Sequence, residues 1–383
     1  MRNLLILGLA SLPALALADA ADLMAITNPA VADARPTLRA TATGFAADDF
    51  VPAHRIAETW RDAPTPRPGR NLAVGFGRAE VSQSYGGWTF GTFKRVDALG
   101  EGSRDTVRIY AAFDDPDSLL AQSGHYKLNY RFKGYSADGL RFAWAGAMSE
   151  RLTVGVAVNL LKAGTLRVES VSGSAVSGGG VATVNGRREL LYTGLDYTSP
   201  DRADLNDFAP ATREQTDNGW GRAIDLGLQW RPRDDLRVSA ALTDLFGQLR
   251  WNNVPQLTQD FNNASWPLEF NSPSAVAKIT GTNRYRDYTL QLKPKAAAAV
   301  EWSQPGWSVG AGLAATRGLI LPEANASWGR ADGLLLRVSY EPRFKSAGAA
   351  VHYGPFYAGL RTDRSNLNDA RAVGAAAGLA IRF

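Results

Sequence analysis

Along most of this chain apolar and polar residues alternate one by one. Ile224-Asp225-Leu226-Gly227-Leu228-Gln229-Trp230-Arg231 does so without a break, and residues 236–243, 307–313 and 336–340 follow the same rule. Successive side chains on a strand point to opposite faces, so each segment has one greasy face and one small or polar face. A soluble β-sandwich would alternate in the same way. Three features favour a membrane barrel. Segments 217–231, 234–251 and 287–302 exceed the ~5–6 residues of a soluble strand and can cross a membrane, which takes ~9–11. Trp230, Trp251, Trp302, Trp307, Trp328 and Tyr340 sit at segment ends, where aromatic rings meet lipid headgroups. The second face is rich in Gly, Ser, Thr and Arg, as a lumen would be.

The connections sort into two classes. Tight turns occur at 149–151, 231–235, 303–306 and 329–333, and longer polar stretches at 46–70, 198–216, 252–286 and 363–370. Counting strands back from a periplasmic C-terminus puts every one of these tight turns in the periplasm and every long stretch outside, as in transmembrane barrels. Candidate strands begin near 36, 71, 86, 103, 124, 138, 151, 165, 183, 217, 234, 287, 306, 319, 333, 344, 355 and 371. These eighteen starts are an overcount, with the pairs after 86 and 165 the weakest. The fold class expected is all-β, a transmembrane antiparallel β-barrel of the outer membrane.

Both ends of the chain agree with export. Met1-Arg2-Asn3 precedes an apolar run over 4–17, followed by small-x-small sites at Ala16-Leu17-Ala18 and Ala18-Asp19-Ala20. This is a secretory signal peptide over residues 1–20, cleaved near 18–20, so that the mature chain begins near Asp19 or Ala21. Residues 21–35 form a short lead and 36–383 the barrel. At the other end Val373, Ala375, Ala377, Leu379, Ile381 and Phe383 share one face. An alternating last strand finishing in an aromatic residue resembles the C-terminal signal of outer-membrane barrels, so Leu379, Ile381 and Phe383 are expected to engage the barrel-assembly machinery.

Composition narrows the chemistry. The 383 residues include no cysteine, which removes disulfides, thiolate metal sites and cysteine nucleophiles. Lys and Arg number 42 against 37 Asp and Glu, and a dispersed net charge of +5 gives no argument for nucleic acid. A mean hydropathy of −0.20 excludes a bundle of transmembrane helices, each of which needs ~20 predominantly apolar residues.

Near the mature N-terminus stands Ile26-Thr27-Asn28-Pro29-Ala30, followed by Arg35-Pro36-Thr37 and the first strand. On the residues alone, Asn-Pro initiates a turn before a strand. The arrangement also resembles the long-chain fatty-acid transport (FadL-like) family of outer-membrane barrels. Gly219-Trp220-Gly221, the turn Arg231-Pro232-Arg233-Asp234-Asp235-Leu236 and Thr243-Asp244-Leu245 resemble runs in related barrels, including some of conjugal-transfer type. The resemblance implies about fourteen strands, and with the count from the residues leaning higher the expected range is about twelve to eighteen. It also implies that Asn28, Pro29 and Ala30 form a hatch-like element leading into the barrel. Only about ten mature residues precede Asn28, fewer than that family's hatch contains. A full N-terminal plug is therefore not expected, and loops 46–70 or 252–286, or inward side chains, would have to close the lumen.

Motifs of catalysis are weak. Gly306-Trp307-Ser308-Val309-Gly310 matches G-x-S-x-G, but it opens an alternating strand where that motif needs a strand-to-helix elbow. His54, His125 and His352 are isolated in sequence and lack H-E-x-x-H spacing. Glycines 178–180 precede no helix and read as a turn. No catalytic, cofactor or metal site is expected. Among the arginines, Arg39, Arg237 and Arg337 are candidate lumen charges, with Arg35, Arg231, Arg233 and Arg382 near periplasmic ends. They suit an anion or a carboxylate headgroup, and equally a wall that must be polar with arginines paired across strands. Segment 252–274, with Asn252, Asn253, Asn262, Asn263, Trp266 and Phe270, reads as a solvated outer loop or an inward gate. The leading expectation is passive passage of small hydrophobic molecules, with outer-membrane lipid and a hydrophobic ligand as partners. A non-transporting scaffold barrel of a secretion or conjugation apparatus is the alternative, and an outer-membrane hydrolase the third.

Overall fold

The structure, a computed structural model, describes residues 20–31, 35–53, 66–114, 123–178, 181–193, 217–266, 279–330 and 333–383. Residues 1–19 of the signal segment, His54, Phe270 and the stretch 198–216 lie outside the described residues, as do Gly179 and Gly180. The first strands are β1 (Thr37–Asp48), β2 (Arg70–Tyr85), β3 (Trp88–Ser103), β4 (Gly124–Ser149) and β5 (Leu152–Gly178). They are followed by β6 (Val181–Tyr192), β7 (Asp217–Arg233), β8 (Leu236–Trp266), β9 (Ile279–Gln291) and β10 (Lys295–Gln304). The chain finishes with β11 (Trp307–Thr316), β12 (Leu319–Gly329), β13 (Leu334–Glu341), β14 (Ser346–Tyr353), β15 (Phe356–Thr362) and β16 (Ala372–Arg382).

Fourteen of these strands are staves of one closed antiparallel barrel. The ring runs β1 to β5, then β7, β8 and β10 to β16, and β16 closes on β1 from Thr37↔Arg382 to Ala47↔Ala372. The other two, β6 and β9, pair with the extracellular extensions of β5 and β8 and stand above the ring. The number implied by the resemblance is therefore the number of staves. The excess in the sequence count comes from β4 and β5, each a single long strand that the pattern divides near 138 and 165. It comes also from residue 103 onward, which forms a helix, α1 (Arg104–Asp114). In the opposite direction, the strand expected over 287–302 is broken at 292–294 into β9 and β10.

Tight turns at 86–87, 150–151, 234–235, 305–306 and 354–355 share the end where β1 begins and β16 finishes, which identifies it as periplasmic. At the first of them Gly86 and Gly87 have φ of 55° and 86°, the conformation a two-residue hairpin turn demands. Short turns are not confined to that end, since 317–318 and 342–345 close hairpins outside. Residues 252–266, read as loop, extend β8 instead and pair with β6 and β9.

Alternation along each stave carries apolar residues to lipid and small or polar ones inward. On β11 the outward set includes Trp307, Val309 and Leu313, and on β16 it includes Leu379 and Ile381, followed by Phe383. Inside, two apolar clusters line the extracellular half of the lumen. One gathers Phe45, Leu72, Val74, Phe76, Leu321 and Phe344; the other gathers Leu161, Leu166, Leu249, Trp251, Val254 and Leu290. Trp251 is thus no headgroup anchor: it is fully buried, and its indole N–H donates to the Gly164 carbonyl at 2.7 Å.

Candidate functional site

The N-terminal lead lies inside the barrel. Residues 22–24 make one 3-10 turn, ended by Ala25 in a left-handed conformation at φ 52°. Leu23, Met24 and Ile26 are buried and pack with Phe45, Val74 and Phe76 and with Ala297 and Ala314 of the opposite wall. The lead is short, yet its buried residues touch opposite walls of the lumen. A full N-terminal plug was not expected, and among the described residues a single turn of the lead lies in the lumen in its place.

Asn28, Pro29 and Ala30 dock against a dent in the wall. The Asn28 side chain accepts a hydrogen bond from the Ala30 amide at 2.9 Å, closing a local turn, and its Nδ2 donates to the Leu228 carbonyl at 3.2 Å. Opposite stand Gly155 of β5 and Gly227 of β7, which are cross-strand partners. A Cβ at Gly155 would meet the Pro29 and Ala30 backbone, and one at Gly227 would meet the Asn28 side chain and the Ala30 amide. The paired glycines are therefore the socket of the Asn-Pro-Ala element.

Beside the plug lies a layer of buried charge. Lys295 of β10 donates to the Met24 carbonyl at 3.0 Å and to Asp97 of β3. Arg95 joins Asp97 to Asp244 of β8, at 2.6 and 2.8 Å to the latter, and the Tyr135 hydroxyl donates to Asp97 at 2.6 Å. Asp244 reaches inward from a left-handed backbone at φ 64°, and its amide donates to Asp225 of β7 at 3.1 Å. Asp225 in turn takes Arg141 at 2.5 Å and Asn159 at 2.8 Å, and Arg78 pairs with Glu80 at 2.6 Å. Arg78, Arg95, Arg141 and Lys295 balance Glu80, Asp97, Asp225 and Asp244. Charges away from bulk water persist only when paired and hydrogen-bonded in this way. Sequence reading missed this layer. Its trace was an Arg-x-acid spacing, repeated at Arg78/Glu80, Arg95/Asp97, Arg167/Glu169 and Arg187/Glu189, which puts both groups on one face of a strand.

On the periplasmic side of the plug is a cavity of about 210 Å³ with a mixed polar and apolar lining. Arg39, Arg237 and Arg337 all line it, together with Glu80, Glu301 and Asn28. Arg237 is paired with Glu301 across β8 and β10. The remaining arginines lie at the periplasmic end: Arg35 before β1, Arg231 and Arg233 at the β7–β8 turn, and Arg382 at the end of β16. His352 is buried near the periplasmic end of β14, whereas His125 is on the extracellular part of β4. The structure does not bring them together. Ser308 faces inward from the strand β11.

The extracellular rim is tied at Asp49. Its carboxylate accepts two bonds from Arg343, at 2.8 and 2.7 Å, and one from the Leu72 amide at 3.0 Å, and it pairs with Arg67 at 3.1 Å. The hydrogen bonds to Asp49, with the nearby charges of Asp49 and Glu341, hold the Arg343 guanidinium above its ordinary pKa.

The wall is irregular in one sector. Pairing between β7 and β8 shifts register beside Arg222 and Ile224, and the β8 ladder passes from β10 to β9 across the gap 292–294. In the same sector Phe246 takes φ 53° and is 86% exposed.

Among solved structures, the chain is similar to the toluene transporter TodX of Pseudomonas putida, with 12% identity, a TM-score of 0.48 and coverage of 96% of this chain and 95% of that one. It is similar to the toluene transporter TbuX of Ralstonia pickettii, at 12% identity, TM-score 0.48 and coverage of 93% and 92%. A FadL homologue of Pseudomonas aeruginosa gives 11% identity, TM-score 0.43 and coverage of 94% and 95%. No curated protein matches the chain. The profile of a family described as "Family of unknown function (DUF5723)" matches residues 71–360. That stretch runs from β2 into β15 and takes in the socket glycines and the charged layer, so the chain belongs to the DUF5723 family.

Proposed function

We propose that this barrel passes small hydrophobic molecules across the outer membrane, and that the N-terminal lead is its gate. One observation carries the reading: the extracellular half of the lumen is lined with Leu, Val, Phe and Trp side chains, and the path below it is closed by residues 20–31. A diffusion porin keeps a polar, water-filled interior. An apolar passage has a different preference, because a hydrophobic solute gains by leaving water for such a surface. The solute would be collected at the apolar extracellular half and halted at the plug and the charged layer. It would go on when Asn28–Ala30 leaves the socket of Gly155 and Gly227. The arginine-lined cavity would receive an amphiphile with an acidic head, and the interrupted ladder around Phe246 is the sector that favours a sideways exit into lipid.

The test uses N-phenylnaphthylamine, a hydrophobic dye that fluoresces in membranes and is held back by an intact lipopolysaccharide leaflet. Cells making the barrel should take it up faster than cells without it, while a hydrophilic sugar of similar size should gain nothing. A scaffold barrel would share the closed lumen. Equal dye uptake in both strains, with the folded barrel present in the outer membrane, would contradict passage and favour the scaffold.

A further inference from the structure

Strand parity separates the lumen wall from the lipid wall. On β3 Phe93, Arg95 and Asp97 are buried inward, so Trp88, Phe90, Thr92, Lys94 and Val96 face out. The same parity sends Asp138 of β4, Lys162 of β5 and Arg222 of β7 outward, next to the inward residues Arg141, Asn159 and Asp225. These four charged groups stand on adjacent staves. Among the described residues, the outward faces of β11 to β16 carry no charge over their membrane-crossing length.

Their height follows from β7. Its outward positions read Trp230, Leu228, Leu226, Ile224, Arg222 and Trp220, from the periplasmic turn upward. At ~3.3 Å per residue and a tilt of ~40°, the rise from Trp230 to Trp220 is ~25 Å, the height of a barrel's apolar band. The two tryptophans therefore mark the two interfaces, and Arg222 lies just inside the outer one. Lys162 is the cross-strand partner of Trp220, with Nζ 5.2 Å from the ring centroid. Asp138 pairs across from Lys162, and Lys94 across from Asp138 at 3.4 Å, with side chains 70% exposed at Lys94 and 60% at Asp138.

Three cations and one carboxylate are thus gathered in the outer-leaflet half of one quadrant, with Lys94 the deepest, ~9 Å below Trp220, because partners on strands tilted by ~40° and spaced ~4.8 Å apart step down by ~3 Å per stave. Basic side chains near an interface ordinarily extend toward water wherever they occur around a wall. Confinement to four neighbouring staves, around one exposed tryptophan, calls for a localised anion. We propose that this quadrant binds a phosphate-bearing glycolipid of the outer leaflet. Lys94, Lys162 and Arg222 would meet its phosphates through charge-assisted hydrogen bonds. Trp220 would lie against the sugar, and Leu140, Leu160 and Leu226 below would carry the acyl chains. Asp138, one stave higher on the slope, draws the Lys94 ammonium up toward the headgroups. The inference rests on the outer-membrane placement of the barrel and is independent of what crosses its lumen.

The test is a titration of the purified, detergent-solubilised full barrel, followed by native mass spectrometry. The probes are bisphosphorylated lipid A, its dephosphorylated form and inorganic phosphate. The variants are the triple Lys94→Gln, Lys162→Gln, Arg222→Gln and the charge-keeping double Lys94→Arg, Lys162→Arg, each checked for folded-barrel migration on gels. Three headgroup contacts worth roughly fivefold each make the triple variant bind bisphosphorylated lipid A about a hundredfold more weakly, while the double variant stays close to the parent. Dephosphorylated lipid A should bind poorly, and inorganic phosphate should not compete. Equal binding by parent and triple variant overturns the proposal. So does equal binding of the dephosphorylated lipid, which would leave only acyl-chain contact, and so does displacement by inorganic phosphate, which would make the site one for the free ion. Should the triple variant not fold, Arg222→Gln alone must still weaken binding about fivefold.

Discussion

Replacing Gly155 by alanine adds one methyl group to the inner wall of β5, where it meets the backbone of Pro29 and Ala30. The stave itself loses nothing, since alanine in a strand interior is better tolerated than glycine by roughly 0.5–1 kcal/mol. The cost falls on the seated plug. Overpacking of a closely fitted site costs about 1–3 kcal/mol, which lowers the seating equilibrium by about fivefold to 150-fold. Gly227→Ala presses the same segment from the neighbouring stave. The two effects will therefore combine to less than their sum, because a plug displaced by one methyl no longer meets the other. Gly44→Ala is the control: a Cβ there comes no nearer than 3.9 Å to the Phe76 carbonyl oxygen. Single-channel recording in planar bilayers reads the outcome. Parent and Gly44→Ala barrels should be closed, whereas Gly155→Ala and Gly227→Ala should show frequent openings with unchanged or slightly raised thermal stability. Socket variants as silent as the parent would refute the docking argument.

Other sites give independent checks. Lys295→Met removes the donor to the Met24 carbonyl and one cation from Asp97, and should cost about 3 kcal/mol, read as a lower temperature for loss of folded-barrel gel migration, together with added channel openings. Asp49→Ala leaves the Leu72 amide and the Arg343 guanidinium without their shared acceptor. It should destabilise the extracellular rim by about 1.5–3 kcal/mol, seen as faster proteolysis of the 342–345 turn. Trp251→Phe keeps the apolar contact but drops the bond to Gly164, for a loss of about 1 kcal/mol in denaturant unfolding.

Period-two alternation made the barrel legible, because lipid outside and a polar or small-residue lumen inside impose it on every stave. The strand count was harder for a local reason. β4 carries a register shift between Tyr135 and Ala137, which reverses the parity of its upper part and makes one strand look like two. Arg104–Asp114 offers Val107 and Ile109 as alternating residues, yet the Ser103 hydroxyl accepts from the Thr106 amide and starts a helix. The lumen arginines could be read from parity, and Arg39, Arg237 and Arg337 do line one cavity. The charged layer could not, since Lys295, Asp97 and Asp244 are brought together only by closure of the ring. Gly155 and Gly227 were two glycines among many until the Asn-Pro-Ala element was seen resting on them.

Movement of the plug is the centre of the account, and the absence of native cysteine permits a direct measurement of it. A single Met24→Cys substitution places a thiol at a position that is fully buried in the closed lumen. A membrane-impermeant maleimide is then added to the outer-membrane-inserted barrel with and without N-phenylnaphthylamine. The account predicts a thiol that is inert in the resting barrel and becomes labelled while the dye is crossing. Prompt labelling of the resting barrel, or dye passage with the thiol still inert, would contradict it.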